Sequence, residues 1–181
     1  MYTLEEKAIN FIFKAFEDKK RIKEDINLAF HSISVGFMLK DINCDEKTII
    51  SGLLHDIIED TDYDYEYLEN NYGYEIAQNV LKVSENISIT NWKERKVEFI
   101  NKLYNENKNI ILIELADKLH NLLSDYNLFK KTGKEGLATL NTSYNDNRWY
   151  YLEMKKLFNI KISNNKLLDR YNQICDLYFK D

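Results

Sequence analysis

The chain contains no proline and only five glycines among its 181 residues. Folds built from strands and tight turns use both residue types as punctuation, because proline presets a turn and glycine adopts turn conformations freely. Their scarcity therefore favours long helices. A chain of this length buries a substantial core as one unit, and no repeat, low-complexity tract or linker-like segment divides it. We expect one all-α domain over residues 1–181.

The composition argues against several classes of protein. A net charge of −5 does not suit a general binder of nucleic-acid polymers, which needs a basic surface. No stretch approaches the ~20 apolar residues of a membrane span, and the acidic N-terminal segment does not resemble a signal peptide. Cys44 and Cys175 form no C-x-x-C pair, which is typical of packing cysteines in a reducing compartment. We therefore expect a cytoplasmic protein without a membrane partner.

Two segments are apolar on nearly every side, which predicts buried central helices. The first begins at Asp45 and carries isoleucines and leucines as far as Ile58. The second runs from Asn109 to Tyr126; the β-branched residues that open it would permit a strand, but its length favours a helix. Further helices are predicted around these two, over about 64–71, 74–87, 92–106, 134–142, 145–158 and 164–179.

Two more helices are predicted near the N-terminus. The first opens with a Thr3–Glu6 capping box, in which each side chain accepts from the other residue's backbone amide. The second spans about residues 25–40 and carries His31. Its large apolar side chains are expected to face the core: Ile26, Phe30, Ile33 and Phe37.

Charged side chains interrupt both central helices. His55 and Asp56 are adjacent within the first apolar segment, and Asp117 lies within the second. Burying a carboxylate beside an imidazole is costly unless a cation or a hydrogen-bonded partner compensates. A lone His–Asp pair is usually a hydrogen-bonded pair. With His31 in a comparable setting, however, the pattern favours a metal site inside a helix bundle.

The order of His31, His55-Asp56 and Asp117 resembles the H…HD…D signature of the HD superfamily of metal-dependent phosphohydrolases. This resemblance implies a single-domain, all-α HD-type helix bundle. It also implies one divalent metal, commonly Mn²⁺, bound by these four residues. Mixed imidazole and carboxylate donors suit Mn²⁺ and other first-row ions.

Two longer segments extend the resemblance. The sequences LLHDIIEDT at 53–61 and LADKLHNL at 115–122 are similar to the corresponding segments of RelA/SpoT-type alarmone hydrolase domains. In all, the resemblance covers about residues 20–130. It implies that Glu59 and Asp60 act on the attacking water, and a carboxylate one turn from metal ligands can accept such a proton. Solvation of a helix end is the alternative role for this acidic pair.

The resemblance also implies substrate contacts on the second central helix. Asn121 lies one turn beyond Asp117, where the family has a substrate-contacting asparagine, and Ser124 is a further candidate on the same face. Arg21 lies in the region of a substrate-contacting arginine of the family. His120 has no assigned role, and we expect it to pack or to support another residue of the site.

A basic run near a predicted helix N-terminus is a second candidate for substrate binding. Lys93, Arg95 and Lys96 could clamp a pyrophosphate through their charges and the nearby helix amides. A solvated helix face is the equally weighted alternative.

One part of the family pattern is missing. The downstream Tyr-Ala-Pro-Leu-type segment that frames the nucleotide is not recognisable, which puts the purine pocket in doubt. That region instead carries Tyr144, Asn145, Arg148, Trp149 and Tyr150. The 181 residues also leave no room for the synthetase domain of long bifunctional relatives, so alarmone synthesis is not expected.

These features predict a hydrolase of guanosine tetra- or pentaphosphate, which releases the 3′-pyrophosphate and leaves GDP or GTP. One alternative is an HD-type phosphohydrolase of another nucleotide or of a phosphomonoester. Another is a non-catalytic sensor that binds a nucleotide in the same pocket. The expected partner is a small nucleotide, and the sequence predicts neither the exact base nor the oligomeric state.

Overall fold

The computed structural model describes residues 2–21, 25–133 and 142–180. Within these ranges the regular secondary structure is helical, apart from an isolated antiparallel bridge between Lys20 and Asn27. The predicted all-α class is therefore confirmed. The described helices are α1 Leu4–Ala15, α2 Ala29–Asp41, α3 Glu46–Leu54, α4 Ile57–Asp60, α5 Tyr65–Tyr72, α6 Tyr74–Val83, α7 Trp92–Leu103, α8 Lys108–Thr132, α9 Tyr144–Lys161 and α10 Lys166–Tyr178.

Polar N-cap residues begin most of these helices. Thr3 forms the predicted capping box: its Oγ1 accepts from the Glu6 amide at 3.1 Å, and Glu6 Oε2 accepts from the Thr3 amide at 2.7 Å. Such a cap contributes about 1 kcal/mol to helix stability. Other helices start from Asp45, Asp64, Asn91, Asn107, Ser143 and Asn165. The helix predicted over about 134–142 lies almost wholly outside the described residues.

The two predicted central helices are α3 and α8. Every residue of α3 from Thr48 to Leu54 is buried, and α8 buries the run from Ile110 to Asp117. Helices α2, α3 and α8 contact one another in all three pairings. None of the helices in the described ranges has the length and apolar character needed to span a bilayer.

The face of α2 that packs inward differs from the predicted one at three of the four predicted residues, whereas Ile33 is half-buried against the core. Phe30 is 51% exposed and Phe37 is 56% exposed, and Ile26 precedes the helix with 41% exposure. The buried face instead carries Ala29, His31, Ser32, Val35, Gly36 and Leu39. Small residues on this face let α2 approach α3 closely: a Cβ added to Gly36 would lie 2.5 Å from Leu53 Cδ2. The buried face of α2 is therefore the one that allows close contact with α3, and not the one with the largest apolar side chains.

The start of α2 also differs from the predicted one, because the helix begins at Ala29 rather than near residue 25. Asp25 has a φ of 49°, in the left-handed region, which a right-handed helix does not permit. Asn27 then bonds backward, since its Nδ2 donates to the Phe16 carbonyl at 2.8 Å. The segment before α2 therefore turns back onto the end of α1.

Candidate metal centre

The structure brings together the four residues predicted as metal ligands. His31 lies on α2, His55 and Asp56 lie between α3 and α4, and Asp117 lies on α8. His31 Nε2 is 3.1 Å from His55 Nε2 and 3.0 Å from Asp117 Oδ1. His55 Nε2 is 3.1 Å from Asp56 Oδ1. Donor atoms of His31, His55 and Asp117 thus meet at one point. Asp56 lies beside them and contacts the two histidines through its two carboxylate oxygens.

The spacing of these atoms fits a divalent cation. Ligands about 2.1 Å from one ion and at right angles to each other lie about 3.0 Å apart. The observed contacts of the two histidines with each other and with the two aspartates run from 3.0 Å for His31–Asp117 to 3.6 Å for His55–Asp117. His31, His55 and Asp117 are all buried and form a group that could hold a metal ion.

The electrostatics of the cluster favour positive charge. Burial opposes a charge on His55, yet Asp56 and Asp117 together raise the pKa of His55 well above its ordinary value. Burial likewise opposes ionisation of Asp117, but Lys118 and both histidines hold the pKa of Asp117 well below its usual range. The negative surroundings that favour a proton on His55 also favour a metal cation at the same position, so protons and metal ions compete for the site.

Hydrogen bonds behind the cluster orient its donor atoms. His55 Nδ1 lies 2.8 Å from the Gly52 carbonyl, so Nδ1–H donates and Nε2 turns its lone pair to the centre. His31 Nδ1 lies 2.9 Å from His120 Nδ1, which places His120 behind His31. The expected supporting role of His120 thus has a definite contact.

Asp117 is held by two neighbours on α8. Lys118 Nζ donates to Oδ2 at 2.5 Å, and Asn121 Nδ2 donates to Oδ1 at 2.7 Å. Asn121 Oδ1 in turn accepts from Arg21 Nη2 at 3.3 Å. Arg21 is thereby brought beside the centre from a segment 100 residues earlier in the chain. Ser124, one turn beyond Asn121, is buried on the same helix.

The acidic pair on α4 lies next to the cluster and is only partly solvated. Burial and the charge of Asp56 raise the pKa of Glu59 to about 7. The same two causes raise the pKa of Asp60 to about 6. Glu59 Oε1 accepts from the Glu85 amide at 2.9 Å, and the Asp60 carbonyl accepts from Lys19 Nζ. A carboxyl group with such a pKa can exchange protons with water near neutral pH.

The basic run on α7 has internal partners. Lys96 Nζ donates to Glu85 Oε1, and Arg95 Nε donates to Glu85 Oε2 at 3.0 Å. Lys93 Nζ lies over the Trp149 ring, 5.1 Å from its centroid. A phosphate-binding role for these three cations stays a prediction.

Sequence reasoning missed Glu85, which contacts both the basic run and Glu59. The available signal was weak: Glu85 is the single charged residue in the connection 84–91, between two amphipathic helices. Only the tertiary contacts distinguish it from a solvated loop residue.

Solved structures share this fold. One, titled "A metazoan ortholog of SpoT hydrolyzes ppGpp and plays a role in starvation responses", aligns with a TM-score of 0.79 at 24% identity, covering 96% of this chain and 94% of that one. A protein from Listeria monocytogenes EGD-e aligns with a TM-score of 0.78 at 27% identity, covering 83% and 99% of the two chains.

Curated relatives match the motif-bearing part of the sequence. A Spiroplasma citri protein named guanosine-3′,5′-bis(diphosphate) 3′-pyrophosphohydrolase is 34% identical over 134 residues, which are 67% of this chain and 18% of that protein. A protein of the same name from Aquifex aeolicus (strain VF5) is 32% identical over 120 residues, covering 65% and 17%. The chain therefore spans less than a fifth of the length of these relatives.

The model of one protein family, described as HD domain, matches residues 8–139. That range includes the two histidines and two aspartates that meet at the centre, and it confirms the resemblance drawn from their order. Because this match covers well over half of the sequence, the chain belongs to the HD domain family.

Proposed function

We propose that this chain is a metal-dependent phosphohydrolase that removes the 3′-pyrophosphate of guanosine tetra- or pentaphosphate. One observation carries the proposal: His31, His55 and Asp117 converge, with Asp56 in contact with both histidines, beside two carboxyl groups with raised pKa values on the segments shared with the named pyrophosphohydrolases. We propose further that residues 1–181 act as one domain on a small nucleotide in the cytoplasm, without a nucleic-acid polymer or a membrane as partner.

His31, His55, Asp56 and Asp117 would hold one divalent cation, for which we propose Mn²⁺. The mixed nitrogen and oxygen donors support this choice. When bound, the ion supplies positive charge that acidifies water and offsets the charge of the phosphates.

The residues of the chain then divide the remaining work. Glu59 takes a proton from the water that attacks the phosphorus next to the ribose 3′ oxygen. The bond between that phosphorus and the 3′ oxygen breaks, the 3′ oxygen takes up a proton, and pyrophosphate leaves. Asp60, the second carboxyl group of the pair, shares this proton transfer. Both groups have the raised pKa that suits proton exchange near neutral pH.

Substrate contacts are proposed for Asn121, Arg21, Ser124 and Lys93. Asn121 and Arg21 form a hydrogen-bonded pair that reaches Asp117, so both lie within one side chain of the proposed ligands. Ser124 continues the same face of α8, and Lys93 is the most exposed cation of the basic run.

A panel of nucleotides assayed with Mn²⁺ tests the proposal. Guanosine tetraphosphate should release pyrophosphate rather than orthophosphate, and GDP should accumulate in equal amount. Release of orthophosphate from another nucleotide or from a phosphomonoester would favour the alternative phosphohydrolase. Saturable nucleotide binding without turnover would favour the non-catalytic sensor.

A further inference from the structure

The carboxylate of Glu59 is oriented by a backbone amide from another part of the chain. Glu59 Oε1 accepts from the Glu85 N–H at 2.9 Å. Glu85 follows the end of α6, so this single bond connects α4 to the connection between α6 and α7. An amide donor fixes one oxygen of the carboxylate and leaves the other available to accept a proton.

The side chain of Glu85 explains why that amide stays in place. The side chain of Glu85 is 7% exposed and is paired with Arg95 through Oε2 and with Lys96 through Oε1. The Lys96 side chain is 15% exposed, and its Nζ lies 4.8 Å from the centroid of the Tyr150 ring. Buried charges that are paired on both sides hold a defined geometry, because separation would leave one of them uncompensated.

Two further bonds fix the same connection to α7. Arg95 Nη1 donates to the Ile89 carbonyl at 2.8 Å, so one guanidinium bonds to both Glu85 and Ile89. Lys102 Nζ donates to the Ser84 carbonyl at 2.9 Å. The residue before Glu85 and a residue after it are therefore tied to one helix, and the amide has little freedom to move.

We propose that Glu85 is a positioning residue for Glu59, and that Arg95 and Lys96 act by holding Glu85 rather than by binding phosphate. This inference rests on the proposed function, in which Glu59 takes a proton from water. It assigns to Arg95 and Lys96 a role in turnover instead of substrate affinity.

Steady-state kinetics of Glu85→Gln and Lys96→Met test this role. Each variant should lower kcat about 10- to 100-fold, because small misplacements of a reacting group have effects of this size. KM for the nucleotide should change little. Glu98→Gln, which alters an exposed glutamate on the same α7 as Lys96, is the matched control and should behave as wild type. If Lys96→Met mainly raises KM, or Glu85→Gln keeps the wild-type kcat, the inference is wrong.

A double-mutant cycle separates positioning from general damage to the fold. In the Glu59→Gln background, Glu85→Gln should reduce kcat by less than about twofold, because the group that it positions is already absent. An equal loss in both backgrounds would overturn the proposal. If Glu85→Gln folds poorly because Lys96 is left unpaired, the double variant with Glu85→Gln and Lys96→Met removes both buried charges. This double variant is then compared in the same cycle.

Hydrogen exchange distinguishes failure of this inference from failure of the proposed function. In protein loaded with Mg²⁺, the amide of residue 85 should be protected in wild type and in Glu98→Gln. It should exchange faster in Glu59→Ala and in Glu85→Gln. If Glu59→Gln keeps its activity, the proposed role of Glu59 fails, whereas unchanged exchange at residue 85 in all variants overturns the positioning contact itself.

Discussion

At the scale of single residues, proton affinity is set by burial beside charge. Glu59 and Asp60 are neighbours on a one-turn helix, and both face the negative charge of Asp56. Asp56 itself has a pKa below its ordinary value, because the charges of His55 and His31 outweigh the effect of its burial. Asp56 therefore binds a proton less readily than Glu59 and Asp60 do. This difference suits a proposed metal ligand that lies beside proposed proton acceptors.

Removing either carboxylate from α4 should abolish turnover without removing metal. Glu59→Gln and Asp60→Asn keep the shape of the side chain, and neither residue is a proposed ligand. Loss of a proton acceptor typically reduces the rate ~10²–10⁴-fold. Kinetics and elemental analysis of the same preparations check both parts. Near wild-type kcat in both variants would mean that the pair only solvates a helix end.

The rate should fall on the acid side of neutrality. Glu59 must be ionised to take a proton, and burial beside Asp56 raises its pKa to about 7, so protonation inactivates it as the pH drops through that range. A bound cation favours the ionised form and therefore moves the acid limb to about 7 or below. A profile of kcat/KM against pH measures this limb. A rate that is constant from about pH 5 to 8 would contradict the assignment of Glu59 as proton acceptor.

At the scale of helices, close contact between α2 and α3 brings the two histidines together. His31 and Gly36 share the buried face of α2, and Gly52 lies on the facing α3 one turn before His55. At Gly36 an added Cβ would meet Leu53 Cδ2 at 2.5 Å and Cγ at 2.7 Å. There is therefore no room for a side chain at Gly36 while α2 and α3 stay this close.

Gly36→Ala should destabilise the protein despite the better helix propensity of alanine. Overpacking a contact as tight as this one costs about 2–3 kcal/mol, the upper part of the usual range, and the gain in propensity offsets about 1 kcal/mol. We expect a net loss of about 1–2 kcal/mol in urea unfolding, together with weaker metal binding. Ser34→Ala on the same helix is the control and should change stability by less than about 0.5 kcal/mol. Equal or higher stability of Gly36→Ala would show that α2 and α3 are not limited by this contact.

At the scale of the whole molecule, the centre joins segments that belong to two apolar clusters. The apolar cluster around α8, α9 and α10 and the cluster around α1, α3, α5 and α6 contain different buried residues. The proposed ligands come from α2, from the α3–α4 connection and from α8, so they connect both clusters. A cation bound there would stabilise the folded chain as a unit.

Metal removal should therefore lower the melting temperature of the wild-type protein. An ion present at about 100 times its Kd adds about 2.7 kcal/mol to the free energy of unfolding. His55→Ala should lose most of its metal, and chelator should then leave its melting temperature unchanged. Comparing the effect of chelator within each variant removes the direct effect of the substitution on packing. Equal metal content in wild type and His55→Ala would contradict the proposed site.

Local patterns in the sequence determined the class of the fold and the family. Scarce proline and glycine, the capping box at Thr3 and the apolar runs in α3 and α8 all act within one or two helical turns. The HD resemblance could also be identified from the sequence, because the order of two histidines and two aspartates along the chain is a linear pattern.

Tertiary structure decided which distant residues meet. The buried face of α2 could not be predicted, because large apolar residues lie on both faces and the small ones decide the packing. Arg21 meets Asn121 across 100 positions, and Glu85 meets Glu59 across 26. A charged residue in a short connection has the same local pattern whether it is solvated or buried in an ion pair. Only the packing of α7 against that connection determines which of the two environments Glu85 occupies.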